Sequence, residues 1–347
     1  MSACPDAWHG RAAMPADAAA LPPTGTEPLE ATALAQALRA LQAAGFDHIP
    51  LPGGGDTLGR WRVLASVAAR DLALVKLYEA HVDALAILHE LGHPAPPRAL
   101  LGVWAAEPPD AVVEATPLDA AGGLVLDGRK AWCSGGRILS HALVTVQGPA
   151  GERWLALVAL DQPGVAVTDA GWHAVGMARV ASGDVTFDRV RATRVGGDRA
   201  YLDRAGFWHG AIGVAACWHG AACAVAQGLR RSGRLKHDAH AQAHLGAVDA
   251  ALSGARALLV EAARHIDEAP RADARVLALR VRAAVERAAA ETLDRVGRAL
   301  GAAPLCRDAA HAARCADLTT FLRQSHAERD LAALGAGIAA EGGDWLP

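Results

Sequence analysis

Apolar and polar positions divide this chain into three zones with different periods. Between Thr32 and Gly92, apolar residues recur at helical spacing. Leu34, Leu38 and Leu41 share one face of a first helix, which Thr32 can cap and Gly45 can close. After the Gly53-Gly54-Gly55 turn, a longer helix begun near Ser66 carries Leu74, Leu77, Leu85, Leu88 and Leu91, and stops at Gly92 and Pro94. From Leu100 to about Val195 the period shortens to two, in brief runs separated by Gly and Pro, and strands are predicted. Leu124–Leu126 reads as one arm of a hairpin, with Asp127-Gly128 as its turn and a return strand ending at Trp132. Val185, Phe187 and Val190 alternate with Thr186 and Asp188, the pattern of a strand with one wet face. Beyond Gly196-Gly197 helical spacing returns, and helices are predicted over 205–229, 239–268, 273–300 and 309–334.

Four regions follow: an irregular Pro-, Ala- and Gly-rich arm (1–30), a helical N-domain (31–99), a β-domain (100–195) and a C-terminal helical bundle (196–347). Helices, then strands, then long helices, without βαβ alternation, exclude a doubly wound dinucleotide fold. No G-x-G-x-x-G follows a strand, which agrees.

Composition narrows the function. The 347 residues, half of them apolar, can bury one large core or several small ones. A formal net charge of -3 argues against a nucleic-acid binder, whose footprint is basic. Aromatic residues are scarce, yet nine are Trp, and a buried indole wants a partner for its N–H. Ordinary core filling accounts for any single one of them. Cys4, Cys133, Cys217, Cys223, Cys306 and Cys315 form no C-x-x-C pair, which fits a reducing, cytoplasmic setting. No His, Cys or carboxylate spacing forms a metal-ligand set. The segment 210–229 lacks charge and is long enough to span a bilayer. Its Ala and Gly content and the neighbouring His209, His219 and Gln227 favour a helix packed inside a bundle.

Two segments carry a resemblance. Gly123–Gly136 contains Gly128, Lys130, Trp132, Ser134 and Gly136 in the pattern G-x-K-x-W-x-T/S-x-G. Pro163–Ala192 contains Gly176-Met177, Ser182, Val185, Phe187-Asp188 and Val190 in the pattern G-M-x-x-x-x-S-x-x-V-x-F-D-x-V. Together, in this order, they resemble the β-domain of the acyl-CoA dehydrogenase family. The resemblance covers roughly 66–335, and the stretch 299–335 looks like the branch that includes flavin monooxygenases. It implies an α+β multidomain fold: a helical N-domain, a middle β-domain and a C-terminal four-helix bundle. It also implies FAD as cofactor and a homodimer or homotetramer, because a second subunit holds the adenosine end. An acyl-CoA or other acyl thioester would be the substrate, with an electron-acceptor flavoprotein as a possible partner.

The same resemblance assigns residues. Trp132 would pack beside the isoalloxazine, and the Ser134 hydroxyl would reach N5. Glu107-Pro108 match the family's T-E-P turn, so the backbone of Ala105 and Ala106 would meet the flavin pyrimidine. Ala106 stands where the family has Thr, Ala111 and Val112 replace a Gly-Ser pair, and Pro109 removes a donor. Arg230 and Arg231 sit where a family Arg reaches phosphates, a task suited to the guanidinium fork, although a solvated basic loop explains them equally. Gly301 is the one match to a Gly-Gly turn that contacts the neighbouring adenosine. The family's base, a late Glu, is replaced by Arg323 or Gln324, and no carboxylate stands at the alternative position near Phe207-Trp208-His209. His326 and His209 are therefore the candidate catalytic groups, with Asp203 and Glu261 as fallbacks. An imidazole can act as base or hydrogen-bond donor near neutral pH.

The leading expectation is α,β-oxidation of an acyl thioester with an atypical base. A two-component flavin monooxygenase of the same fold is the runner-up. A flavin-free structural or regulatory relative is the third reading, favoured by the eroded turn and opposed by Trp132 and Ser134.

Overall fold

The computed structural model describes residues 31–341, so the expected irregular arm lies outside the described residues. Three helices come first: α1 (Ala31–Ala43), α2 (Thr57–Arg70) and α3 (Leu72–Glu90). The single helix expected from Ser66 is in fact two, and Asp71 makes the break. Its N–H donates to the Val67 carbonyl and closes α2. Its carboxylate accepts the Leu74 N–H at 2.8 Å and caps α3. α1 begins one residue before Thr32, which therefore lies inside the first turn. Gly45 follows its end at φ +80°, as expected of a closing glycine.

Seven strands follow: β1 (Leu101–Trp104), β2 (Val113–Pro117), β3 (Gly123–Cys133), β4 (His141–Gln147), β5 (Arg153–Ala159), β6 (Val165–Thr168) and β7 (Gly183–Val195). Their order is β1-β4-β2-β3-β7-β5, β5 also pairs with β4, and β6 flanks β7. The strands β4-β2-β3-β7-β5 thus close on themselves, leaving β1 and β6 as the outer strands. The expected hairpin at Asp127-Gly128 is not formed. β3 is one continuous strand, paired on one side with β2 and on the other with β7, and the register against β7 slips between Leu126 and Gly128. Asp-Gly serves here as a bulge, with Gly128 at φ +123°.

The C-terminal region contains α4 (Ala200–Asp203), α5 (Gly206–Arg230), α6 (Ala239–Glu268), α7 (Arg275–Leu300), α8 (Ala303–Arg307), α9 (Ala309–Phe321) and α10 (Glu328–Glu341). The helix expected over 309–334 is interrupted. A 3-10 turn at Leu322–Gln324 leads to extended Ser325 and to Ala327 at φ +47°, which no α-helix accommodates. α5 is the axis of the bundle, packed by α7, α2 and α6, with α9 also against it. Its small residues allow close approach: a Cβ on Gly220 would strike the Ala65 carbonyl of α2. By length and composition both α5 and α6 could cross a membrane, but α5 is mostly buried inside the protein as a core helix.

One ionic clip joins the three regions. Arg179, in the 3-10 turn before β7, reaches Asp71 at 2.7 Å and Asp317 of α9 at 3.2 Å. Both carboxylates are nearly inaccessible, so the guanidinium offsets two buried negative charges. Asp317 also accepts the N–H of Met177, which sits at φ +60°.

Candidate functional site

The ends of β1 and β3 meet at one corner of the sheet. Trp104, the last residue of β1, donates its indole N–H to the Ser134 carbonyl at 3.2 Å. That bond places Ala105 and Ala106, the next two residues, beside the turn that follows β3. The strand alternation then sorts the side chains. Ala131 and Cys133 are buried while Trp132 between them is 59% exposed, so Cys133 points to the opposite face, as the sequence predicts. Trp132 has φ +61° and meets Trp172 edge to face at 6.3 Å between centroids. Ser134 Oγ lies 2.7 Å from Ser182 Oγ. One hydroxyl hydrogen is spent between the two, and the other is left to donate outward.

These residues fit the ring of a flavin. An exposed indole at a strand end offers an aromatic wall, the serine pair offers a donor, and the half-buried Ala105–Ala106 backbone borders the same corner. Beside them is a cavity of about 280 Å³ lined by Glu107, Pro109, Lys130, Thr145 and Arg153 among others. Arg153 is ion-paired with Glu107. Lys130 is almost fully buried and donates to the Thr145 carbonyl at 2.8 Å and to its hydroxyl at 2.7 Å. Burial lowers its pKa to about 8.

The adenosine-end candidates do not join this corner within one chain. Arg230 and Arg231 are exposed at the end of α5, and Gly301, at φ +71°, is exposed at the end of α7. The two histidines are also apart. His326 lies exposed between α9 and α10, with its ring 3.2 Å from Asp330. His209 is buried near the start of α5, in the wall of a different cavity that contains none of the corner residues. Arg323, where the family base would stand, is exposed and paired with Glu286 at 2.9 Å, and Gln324 is exposed. The fallback acids are surface ions: Asp203 pairs with Arg199 at 3.0 Å, and Glu261 pairs with Arg264 at 2.5 Å. Apart from His209, then, the catalytic candidate His326, Arg323 and the two fallback acids are exposed and engaged by surface ion partners.

Sequence reasoning missed an interior cluster. Glu79 of α3 is buried, and burial followed by the neighbouring Asp83 pushes its carboxyl up to about 7, against the pull of Lys76, Arg60 and Arg282. The indole of Trp218, on α5, lies under the Arg282 guanidinium at 4.7 Å and meets Phe321 of α9 edge to face. Lys76 lies 5.8 Å from the same Phe321 ring. The indole nitrogens of Trp61 and Trp218 and one Asp83 oxygen are buried without a hydrogen-bond partner. Helical spacing of Lys76, Glu79 and Asp83 on one face was the available signal, but the apolar stripe of α3 masked it.

No family model matches the chain, and no curated relative matches it. Solved structures do. The dibenzothiophene monooxygenase TdsC of Paenibacillus sp. A11-2, in complex with FMN and indole, superposes with a TM-score of 0.71 at 21% identity, over 90% of this chain and 97% of that one. The methanesulfinate monooxygenase MsuC of Pseudomonas fluorescens gives 0.69 at 18% identity, over 91% and 97%. The nitrososynthase of Micromonospora carbonacea var. africana gives 0.71 at 22% identity, over 88% of each chain. The chain therefore has the acyl-CoA dehydrogenase-like fold, multidomain and α+β.

Proposed function

We propose that this protein is a flavin-dependent oxidoreductase that uses the Trp132–Ser134 corner. The observation that carries the reading is the convergence of Trp132, the Ser134–Ser182 hydroxyl pair and the Ala105–Ala106 backbone at one corner. A fold shared over about nine-tenths of the chain with a protein described in complex with FMN supports it. FMN is the cofactor favoured here over FAD, since FMN is the flavin of the superposed TdsC complex. A bound flavin would supply the redox chemistry, accepting hydride or passing electrons to dioxygen. The protein's share is to wall the ring with Trp132, to donate from the serine pair, and to keep the adjoining Lys130 cavity polar.

Oxygenation is the reaction favoured. Two of the reported neighbours are described as monooxygenases, and the junction of α9 and α10 offers Arg323, Gln324 and His326 but no buried carboxylate. Oxidation of an acyl thioester, with a flavoprotein as electron acceptor, is the second reading. Its support is Glu79, a buried carboxyl whose raised pKa suits a base working near neutrality. Either reaction fits a cytoplasmic homodimer or homotetramer, in which a second copy covers the exposed apolar positions of α6 and can bring Arg230, Arg231 or Gly301 to its neighbour's site.

Titration of the purified protein with FMN and with FAD, followed by absorbance and fluorescence, tests the proposal. Binding at micromolar concentration is expected, and Trp132→Ala should weaken it at least about tenfold by removing the aromatic wall. Failure to bind either flavin overturns the enzymatic reading. With flavin bound, anaerobic bleaching by acyl-CoAs selects dehydrogenation, whereas oxygen consumption only with supplied reduced flavin selects oxygenation.

A further inference from the structure

We propose a second small-molecule site, between the end of α3 and the start of α5, that takes a small organic oxyanion: a carboxylate or a phosphate monoester. It does not rest on the flavin reading. Leu77 of α3 lies against the Gly135 position next to Ser134, whereas Glu90, thirteen residues further along the same helix, lines the second site. That interval is about 20 Å of helix, so the two sites are separate.

The site is a cavity of about 410 Å³, large enough for a metabolite. His209 forms part of its wall and is only 2% exposed, and neither ring nitrogen has a hydrogen-bond partner. Leaving a buried polar group unpaired costs roughly 1–3 kcal/mol, a cost that a ligand would offset. Burial lowers the His209 pKa, so near pH 7 the ring is neutral and keeps one N–H. Arg204 carries a second orphan, its buried Nε–H. Glu90, the carboxylate of the lining, is already satisfied. One Glu90 oxygen receives Arg204 at 2.9 Å, and the other receives the Gly206 N–H at 3.0 Å.

What remains unspent in the lining is mainly donor and positive. Arg271 adds an exposed guanidinium at the mouth, while the Arg204 guanidinium is paired with both Glu90 and Asp83, so the free positive charge of the lining is that of Arg271. The N-terminus of the 25-residue α5 points its positive end at the same place. Leu51, Pro52, Ala86 and Pro270 supply an apolar wall. The complement of such a site is an anionic head on a short carbon body. Gly53 permits the arrangement: a Cβ there would lie 2.8 Å from Pro270 and 3.7 Å from the His209 ring.

The test is calorimetric titration of the full chain with inorganic phosphate and with butyrate, and with uncharged butyramide as control, alongside NMR of the histidine ring protons. One of the two anions should bind saturably with a Kd below about 1 mM and shift the His209 resonance, and the one that does identifies the head group. Arg271→Ala, a change at an exposed loop residue, should weaken binding about tenfold or more without altering Tm. His209→Phe should abolish it. The site is refuted if neither anion saturates, if butyramide binds equally well, or if Arg271→Ala leaves the affinity unchanged.

Discussion

Glu79 is surrounded by charges from three helices: Arg60 on α2, Lys76 and Asp83 on its own α3, and Arg282 on α7, with the Cys217 thiol of α5 close by. Despite three cations, burial dominates and holds the carboxyl up to about 7. In the folded protein the proton stays on well above the ordinary carboxylate range, where the unfolded chain has already released it. Stability from this group is therefore complete at low pH and is lost as pH rises through about 7. Glu79→Gln removes the loss. The variant should match wild type near pH 4 and exceed it by on the order of 2–3 kcal/mol at pH 8, measured by urea unfolding at both values. A gap that does not widen with pH would contradict this account. Indole nitrogens left without partners at Trp61 and Trp218 belong to the same interior, which is more polar than its hydrophobic packing requires.

Among the elements, β3 holds the corner in place. Its eleven residues pair with β2 and β7 at once, and the bulge at Asp127-Gly128 absorbs the mismatch between them. Gly128 is needed there for two reasons. Its φ of +123° is open only to glycine, and a Cβ would strike the Val112 carbonyl. Gly128→Ala should cost roughly 2–4 kcal/mol, read from urea midpoints, and should displace the Lys130–Ser134 stretch enough to weaken flavin binding. A variant as stable as wild type would mean that the bulge relaxes freely. α3 shows the complementary case, because the same helix borders the flavin corner near Leu77 and the oxyanion cavity near Glu90.

At the scale of the whole molecule, α6 is the exception among the long helices. It is apolar in composition yet mostly uncovered, with Leu258 and Val260 exposed. Asp249, Arg256, Glu261 and Arg264 on the same helix argue for a protein partner over lipid. A second copy is the occupant proposed above. Leu258→Lys with Val260→Lys should convert the assembly to monomer in light scattering while the circular dichroism spectrum is retained. A wild-type protein that is monomeric with flavin bound would overturn the oligomer. The Arg179 clip acts at this scale as well, since it fixes α3, the turn before β7 and α9 against one another whatever the assembly.

The sequence by itself determined the succession of helices, strands and helices, the positions of α5, α6 and α7 to within two residues, and the multidomain fold that the comparisons support. Period and Gly/Pro punctuation are local properties, so they are legible in one dimension. Tertiary structure alone decided the rest. Asp71 reads as part of a helix until its carboxylate is seen capping α3, and Asp-Gly reads as a turn until strands on both sides hold β3 straight. The last helix breaks at Ser325 and Ala327, where no sequence signal stands out. Trp132 and Ser134 were legible as candidates because they sit in one short motif at the end of β3 and the turn after it. The surroundings of Glu79 and His209 come from helices far apart in the chain, and burial and charge at such points depend on which elements meet. The sequence lists the groups, and only packing sets which of them lose water.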